Sequence, residues 1–168
     1  MQLPDAEAAY KILANKIQTE RNSHFALVGI RTGGAWVAER LHRELHITKP
    51  LGLLSTSFYR DDFDKIGLHA QIKPSEIPFD VEGAQILLVD DVLHTGRTVR
   101  AAINELFDFG RPASISLAVL VDRRGRDLPI AAQYSGTVFE LPDDEMLELK
   151  QDATGKFSFN VYHKNLPQ

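Results

Sequence analysis

The sequence predicts an α/β domain built on a mostly parallel sheet, with helices on both faces. Short, continuously apolar runs alternate along the chain with segments whose apolar residues recur at helical spacing. Strands that are buried on both faces are apolar throughout, and their alternation with helices is typical of parallel sheets. The 168 residues suffice for about one domain with a substantial core. We therefore treat residues 1–168 as a single domain.

The helices and strands are predicted in order along the chain. A first helix is expected over 6–21 with Asp5 as its cap, and a second helix covers the pattern from Trp36 to Leu45. A third helix opens within Thr95–Thr98 and runs to about Phe109, where Gly110 and Pro112 end it. Apolar strands are predicted over 25–30, 51–59, 86–89 and 114–121.

Two stretches depart from this alternation. Residues 60–79 are polar, contain Pro74 and Pro78, and show no clear helix; a connection of this length is often a lid or a binding loop. From Tyr134 onward, short strand-like pieces over 137–141 and 157–162 surround an acidic turn. We expect this tail to form a cap or edge outside the parallel core.

Composition and charge exclude several classes of protein. Hydrophobic residues make up 43% and charged residues 25% of the chain, which is globular composition and not that of a disordered tail or a membrane bundle. The absence of cysteine excludes disulfides and thiolate chemistry. The net charge of −4 restricts any nucleic-acid contact to a local patch. With no signal-like or membrane-spanning run, we expect a mature, soluble, cytoplasmic chain without membrane contact.

Polar side chains follow each predicted strand. The four strand ends read Arg31-Thr32, Arg60-Asp61-Asp62, Asp90-Asp91 and Asp122-Arg123. Ligands of parallel α/β sheets bind beyond the carboxyl ends of the strands, because those ends meet at one edge. The four polar segments are therefore expected to converge on one site.

The segment ILLVDDVLHTGRT, over 86–98, carries the strongest chemical signal. Its strand delivers two carboxylates, and Thr95-Gly96-Arg97-Thr98 turns into a helix. Backbone N–H groups at a helix start bind phosphate, and a glycine allows close approach. Adjacent carboxylates accept hydrogen bonds from sugar hydroxyls, so this order of parts predicts a ribose 5-phosphate site. Taken singly, the same parts could be solvated caps and an ordinary turn.

This segment resembles the phosphoribosyl-pyrophosphate signature of type I phosphoribosyltransferases. The likeness extends to VGIRTGG, SFYRDDF and GRPASISLAVLVDRRGRDLP, in the order and spacing of the pyrimidine-operon attenuator/uracil phosphoribosyltransferase family, over roughly residues 20–134. The resemblance implies a five-stranded parallel core over about 20–134, and a small hood formed by the N-terminal segment and residues 134–168. It also implies a homodimer or homotetramer.

The resemblance implies transfer of a phosphoribosyl group from phosphoribosyl pyrophosphate to uracil, giving UMP and pyrophosphate. Positioning and electrostatic stabilisation would supply most of the rate. Mg²⁺ would arrive bound to phosphoribosyl pyrophosphate, and no dedicated metal site is expected. Members of the family also bind messenger RNA when uridine nucleotides are present, which implies a possible leader-RNA partner.

The resemblance assigns the sugar-phosphate contacts residue by residue. Asp90 and Asp91 would bind the ribose hydroxyls and act in catalysis together with Arg60. The remaining ribose 5-phosphate contacts would come from the segment after the acid pair: Val92, Leu93, His94, Thr95, Gly96, Arg97 and Thr98. Pyrophosphate would be bound by Arg31, Thr32, Gly33, Arg60 and Arg123.

The contacts to the base and to RNA are implied in the same way. Uracil would lie beneath the hood near the backbone of Val138 and Phe139, although Phe139 equally suits a core position of an edge strand. Arg123 would face the phosphate or the base, or Asp122 could simply pair with it. RNA would meet basic residues of the first helix and of the loop after the fourth strand: Lys11, Lys16, Arg124 and Arg126.

The chain departs from the family pattern at three positions. Glycine stands at 33, where the family usually has arginine, so one charged pyrophosphate contact is missing unless Arg31 replaces it. His94 stands where tyrosine is more frequent, and Gly125 where histidine is typical. Two alternatives therefore stay open: a non-catalytic, nucleotide-sensing RNA-binding regulator, and a type I transferase for another base such as a purine.

Overall fold

The computed structural model describes residues 1–20, 24–56 and 73–164. Its helices within those ranges are α1 (Ala6–Glu20), α2 (Gly33–Glu44) and α3 (Arg97–Asp108). The strands there are β1 (Ala26–Ile30), β2 (Gly52–Leu54), β3 (Gln85–Leu93), β4 (Ser114–Asp122), β5 (Tyr134–Val138), β6 (Glu145–Gln151) and β7 (Phe157–His163).

The first five strands form one parallel sheet in the order β2-β1-β3-β4-β5. Successive side chains on each strand point to opposite faces. Leu87 and Val89 accordingly pack into the core shared with α1 and α2, whereas Ile86 and Leu88 pack into the core shared with α3. The predicted five-stranded parallel sheet with helices on both faces is therefore confirmed.

The helices form because their apolar residues recur at helical spacing on one side. On α1, Ala9, Leu13 and Ile17 are buried at intervals of four residues. The predicted cap is present, since the Asp5 Oδ1 accepts a hydrogen bond from the Ala8 N–H at 3.1 Å.

Three boundaries differ from the sequence prediction. Strand β3 runs on to Leu93, so Asp90 and Asp91 lie within it, and Asp90 pairs with Val119 of β4. Helix α2 begins at Gly33, three residues before the predicted pattern, whereas α3 begins at Arg97, within the predicted opening. In place of the predicted strand 51–59, the structure has strand β2, which ends at Leu54. Residues 57–59 of the predicted strand lie outside the described ranges.

The prediction for the start of the tail was wrong. Residues Tyr134–Val138 form β5, which pairs in parallel with β4 as the last strand of the main sheet. The apolar pattern of this strand is interrupted at Gly136, which misled the prediction. Helix α1 covers one face of the strand there, and the Gly136 backbone lies directly against the carbonyl oxygen of Ala9. The later piece is confirmed as strand β7.

Strands β6 and β7 form a separate antiparallel pair that packs against α1 and α2. Arg40 of α2 binds both carboxylate oxygens of Glu7, at 2.8 and 3.1 Å, and its guanidinium lies 3.8 Å from the Phe157 ring centroid and 4.6 Å from that of Tyr10. This stacked ion pair fastens the β6–β7 pair to the helices. The Arg40 hydrogen bond is the main cause that lowers the pKa of Glu7.

Candidate active site

The two β3 carboxylates are oriented by the backbone that follows them. Asp90 is buried, at 3% exposure, and its Oδ1 accepts a hydrogen bond from the Asp91 N–H at 2.9 Å. The Asp91 Oδ1 accepts from the Val92 N–H, also at 2.9 Å. Asp91 is half-buried, and its Oδ2 faces the start of α2 at Gly33. The predicted acid pair therefore has a fixed geometry, with Asp91 the more accessible member.

The α2 start packs directly onto this acid pair. A Cβ at Gly33 would overlap the Asp91 carboxylate, and a Cβ at Gly34 would lie 2.7 Å from the Val89 carbonyl oxygen. The two glycines thus let the first turn of α2 approach the strand end more closely than side chains would allow. The peptide bond between Arg31 and Thr32, just before this turn, is cis.

Arg31 reaches across the edge of the sheet. Its Nη1 donates to the Pro74 carbonyl oxygen at 2.8 Å and to the Ser55 hydroxyl at 3.3 Å, and its Nη2 lies 3.8 Å from the Glu76 carboxylate. These contacts connect the predicted pyrophosphate loop to Ser55, before the long connection 60–79, and to Pro74 and Glu76 in its last part. Arg60, predicted to act from within that long loop, lies outside the described residues, as do Asp61 and Asp62.

The α3 start has the geometry of an anion site. Gly96, its cap, has φ of +95°, and the Thr95 hydroxyl accepts a hydrogen bond from the Arg97 N–H at 3.2 Å. Outside the helix, the Thr95 carbonyl oxygen accepts from the N–H groups of Asp127 and Leu128 at 3.0 and 3.1 Å. N–H groups in the first turn of a helix attract anions, and Thr98 lies in that turn.

The loop after β4 braces the α3 start. Arg126 binds both oxygens of Asp122, at 2.9 and 3.0 Å, and donates to the carbonyl oxygens of His94 at 2.6 Å and Ile130 at 2.8 Å. Asp122 therefore pairs with Arg126 and not with Arg123. Sequence analysis missed this ion pair, because the four-residue spacing predicts contact only on a helix and this segment is a loop.

Arg123 is buried beside the acidic turn that precedes β6. It is 3% exposed, its Nη2 donates to the Pro142 carbonyl oxygen at 2.8 Å, and its Nε has no hydrogen-bond partner among the described residues. Burial lowers the pKa of Arg123. Burial, and secondarily the charge of Arg123, lowers the pKa of His94, which favours the neutral imidazole.

The residues predicted to meet the base lie at the end of the last sheet strand. Val138 is 49% exposed and pairs with Asp122, whereas the Phe139 N–H donates to the Asp122 carbonyl oxygen at 3.0 Å. The Phe139 ring packs partly buried against the core. Both residues are therefore held next to the loop that carries Arg123.

The residues predicted to bind RNA are divided between two regions. Lys11 and Lys16 lie on α1, where the Lys16 ammonium donates to the Ser135 carbonyl oxygen at 2.9 Å. Arg124 is exposed in the loop after β4, 3.8 Å from the Glu140 carboxylate. Arg126 is the least available of the four, because its guanidinium is held by Asp122, His94 and Ile130.

A separate cleft of about 760 Å³ lies between α1, α2 and the turn that joins β6 to β7. Apart from Lys11, its lining contains none of the predicted site residues. Its basic and acidic side chains are equal in number, four each, so it carries no net preference for an anion. The predicted chemistry thus belongs to the strand ends and not to this cleft.

Paired carboxylates between two helix starts, at the carboxyl edge of a five-stranded parallel sheet, agree with the resemblance to phosphoribosyltransferases. The family model for the phosphoribosyl transferase domain matches residues 2–145, and the chain belongs to that family. Among relatives, it is 54% identical over 143 residues to "Bifunctional protein PyrR" of Nitrosococcus oceani, covering 84% of this chain and 80% of that protein. Over 162 residues it is 49% identical to the protein of the same name from Ralstonia nicotianae, covering 92% of each. The chain therefore belongs, within this class, to the bifunctional PyrR proteins.

Solved structures share the fold. A hypoxanthine phosphoribosyltransferase from Staphylococcus aureus has a TM-score of 0.63 at 21% identity, covering 86% of this chain and 78% of that one. A purine phosphoribosyltransferase from Pyrococcus horikoshii has a TM-score of 0.59 at 25% identity, covering 80% and 82%. The family assignment made from the sequence is thus confirmed, and the purine alternative is not favoured by the more similar PyrR relatives. In the described part of the chain, no helix combines the length and apolarity that crossing a membrane requires.

Proposed function

We propose that this chain transfers the phosphoribosyl group of phosphoribosyl pyrophosphate to uracil, forming UMP and pyrophosphate. The observation that carries the proposal is the acid pair of β3, set between the glycine-containing starts of α2 and α3. One helix start suits the 5′-phosphate and the other suits pyrophosphate, so the sugar between them lies over the carboxylates.

The reaction replaces one bond at the anomeric carbon by another. The bond to the pyrophosphate oxygen breaks with its electron pair going to pyrophosphate, and the uracil N1 forms the new bond and loses its proton. Positive charge develops on the ribose between these events. Asp90 and Asp91 bind the ribose hydroxyls and stabilise that charge, because fixed carboxylates in a partly dry site need no reorganisation.

Phosphate-side contacts come from the two helix starts. The α3 start, from Thr95 to Thr98, holds the 5′-phosphate, with Val92, Leu93 and His94 leading into it. Thr32 and Gly33 hold pyrophosphate, together with Arg31 and Arg60. Mg²⁺ bound to phosphoribosyl pyrophosphate would neutralise charge on the leaving group. Among the described residues, no group of three or more histidine or acidic side chains could hold a resident metal ion.

The base meets the hood near Val138, Phe139 and Arg123. The buried Arg123 Nε–H, which has no hydrogen-bond partner within residues 1–20, 24–56 and 73–164, supports this role, because an unsatisfied buried donor is costly and a substrate oxygen would satisfy it.

The test is product formation from phosphoribosyl pyrophosphate and Mg²⁺ with uracil, hypoxanthine, guanine and orotate offered separately. UMP from uracil alone is expected. Turnover of a purine, or of orotate in preference to uracil, would replace the proposed substrate.

A second function, uridine-nucleotide-dependent binding of a leader RNA, is favoured by the bifunctional naming of the relatives and by the exposed Lys11 and Arg124. RNA affinity should fall steeply with salt because phosphate neutralisation supplies most of it. The experiment is a gel shift of pyrimidine-operon leader RNA with and without UMP, comparing wild type with Arg124→Gln. Absence of any shift at low salt would remove this function.

Light scattering would test the expected homodimer or homotetramer.

A further inference from the structure

We propose that Gly33 is a positioning residue for Asp91: by having no side chain, it leaves the space that the Asp91 carboxylate occupies. The effect on ligand binding rests on the proposed function, in which Asp91 binds the ribose hydroxyls. The positioning itself rests only on the packing between α2 and β3.

The geometry leaves no room for a methyl group beside an unmoved Asp91. A Cβ at Gly33 would overlap the Asp91 Oδ2, and would lie 2.7 Å from its Cγ and 3.1 Å from its Cβ. Real Cβ atoms almost never approach another heavy atom within 3.0 Å. A side chain at position 33 therefore requires the Asp91 carboxylate or the α2 backbone to shift, and the carboxylate moves more easily because it is the far end of a side chain.

The obstacle at Gly33 is steric and not conformational. Gly33 lies within α2 and its φ is outside the left-handed region, so the backbone suits alanine. What a methyl group meets is the far end of one half-buried side chain, which can rotate away. We therefore expect Gly33→Ala to fold normally while turning Asp91 away from its present position.

The neighbouring glycine provides the contrast. A Cβ at Gly34 would lie 2.7 Å from the Val89 carbonyl oxygen and 2.9 Å from the Asp90 Cα. Those are backbone atoms of the central strand and cannot rotate aside. Gly34→Ala should therefore act on stability, lowering the Tm by about 5 °C or more, whereas Gly33→Ala should leave the Tm nearly unchanged.

Displacing Asp91 removes its contacts with the sugar. A hydrogen bond to a charged group contributes roughly 1.5–3 kcal/mol, which corresponds to at least about a tenfold change in affinity. We expect Gly33→Ala to weaken UMP binding by about this factor. Gly52→Ala is the matched control: its methyl group meets apolar side chains at 3.1–3.2 Å, at the opposite end of β2 from the site.

A double-mutant cycle read by calorimetric titration with UMP tests the proposal. Gly33→Ala is measured alone, with Asp91→Ala and with Asp91→Asn. Alanine at 91 removes the carboxylate and leaves only the tight 3.1 Å contact to its Cβ, so Gly33→Ala should then change affinity less than twofold. Asparagine retains the bulk of aspartate, so Gly33→Ala should still weaken binding in that background.

The results separate the two claims. Equal weakening by Gly33→Ala in all three backgrounds would overturn the positioning role, whereas no weakening in wild type would overturn the contact between Asp91 and the ribose. A crystal structure of Gly33→Ala with Asp91 unmoved would overturn it independently of any ligand. Failure of the proposed function looks different: wild type would not form UMP from uracil, while the displacement of Asp91 in Gly33→Ala would persist.

Discussion

The starts of α2 and α3 flank the same acid pair and both depend on glycine, but for different physical reasons. At Gly96 the backbone has φ of +95°, whereas a Cβ there would have neighbours no closer than 3.4 Å, which is ordinary contact. At Gly33 the backbone is outside the left-handed region, whereas a Cβ would overlap the Asp91 carboxylate. The α3 start requires a left-handed backbone conformation at Gly96, and the α2 start requires the space beside Gly33 to be free of a side chain.

This difference indicates how each helix start contributes to the site. The α3 start, where we propose that the 5′-phosphate binds, depends on its backbone turn at Gly96, and the loop after β4 braces it through Arg126. The α2 start fits its backbone against the acid pair, so its geometry and that of Asp91 depend on each other. Substitutions at the α3 start should therefore act through the backbone, and substitutions at the α2 start should act by displacing Asp91. Loss of the acid pair should affect the ligands bound at both starts.

The largest effect is expected from Asp90→Asn combined with Asp91→Asn. Both changes keep side-chain size but remove the negative charge that, in the proposed mechanism, stabilises the developing ribose cation. We expect kcat to fall by about a thousandfold, within the range for removing an electrostatic transition-state contact. Steady-state assays of UMP formation measure this, and the Tm serves as the control for folding. Asp90 is buried, so Asp90→Asn should account for most of any change in Tm. Wild-type turnover by the double variant would contradict the mechanism.

Gly96→Val should produce the next largest effect. A β-branched residue is strongly disfavoured at φ of +95°, so the turn must change and the N–H groups of the cradle with it. We expect UMP affinity to fall by about a hundredfold, combining backbone strain with lost phosphate contacts.

Gly96→Ala is the comparison that identifies the cause. If conformation is the requirement at this start, alanine should lose most of what valine loses, although its methyl group has ordinary space. If Gly96→Ala binds UMP as tightly as wild type, the effect of valine is caused by side-chain volume and not by backbone conformation. The contrast between the two helix starts would then be wrong.

Gly33→Arg tests the other start. The resemblance to the family implies arginine at this position, so introducing it could be expected to add a pyrophosphate contact. Because arginine begins with the same Cβ that overlaps Asp91, we instead expect kcat/KM for phosphoribosyl pyrophosphate to fall by about tenfold. An increase in kcat/KM would show that Asp91 and a side chain at 33 can coexist.

The sequence was sufficient for the parts of the site that lie close together along the chain. Continuous apolar runs predicted the buried strands, and the segment 86–98 contains acids, turn and helix start in one stretch. It was insufficient where the outcome depends on packing between distant segments. The contact of Gly33 with Asp91 joins residues that are far apart in sequence. The interrupted pattern of β5 is explained only by the cover that α1 provides.

The smallest effect concerns pH and is confined to the α3 side. Burial and the charge of Arg123 lower the pKa of His94 below its ordinary value of 6.5, and Lys164 acts in the same direction, against Asp143 and Asp127. The unfolded chain therefore binds a proton at higher pH than the folded chain does, so this contribution to stability is complete above pH 6.5 and is lost as pH falls through the folded pKa. His94→Gln should flatten the decline in the free energy of unfolding below pH 6.5, measured by urea denaturation at several pH values. His163→Gln, at a side chain 73% exposed, is the matched control. If the pH slope of the free energy of unfolding is the same in His94→Gln and wild type, His94 has the same pKa in the folded and unfolded states, and the prediction is wrong.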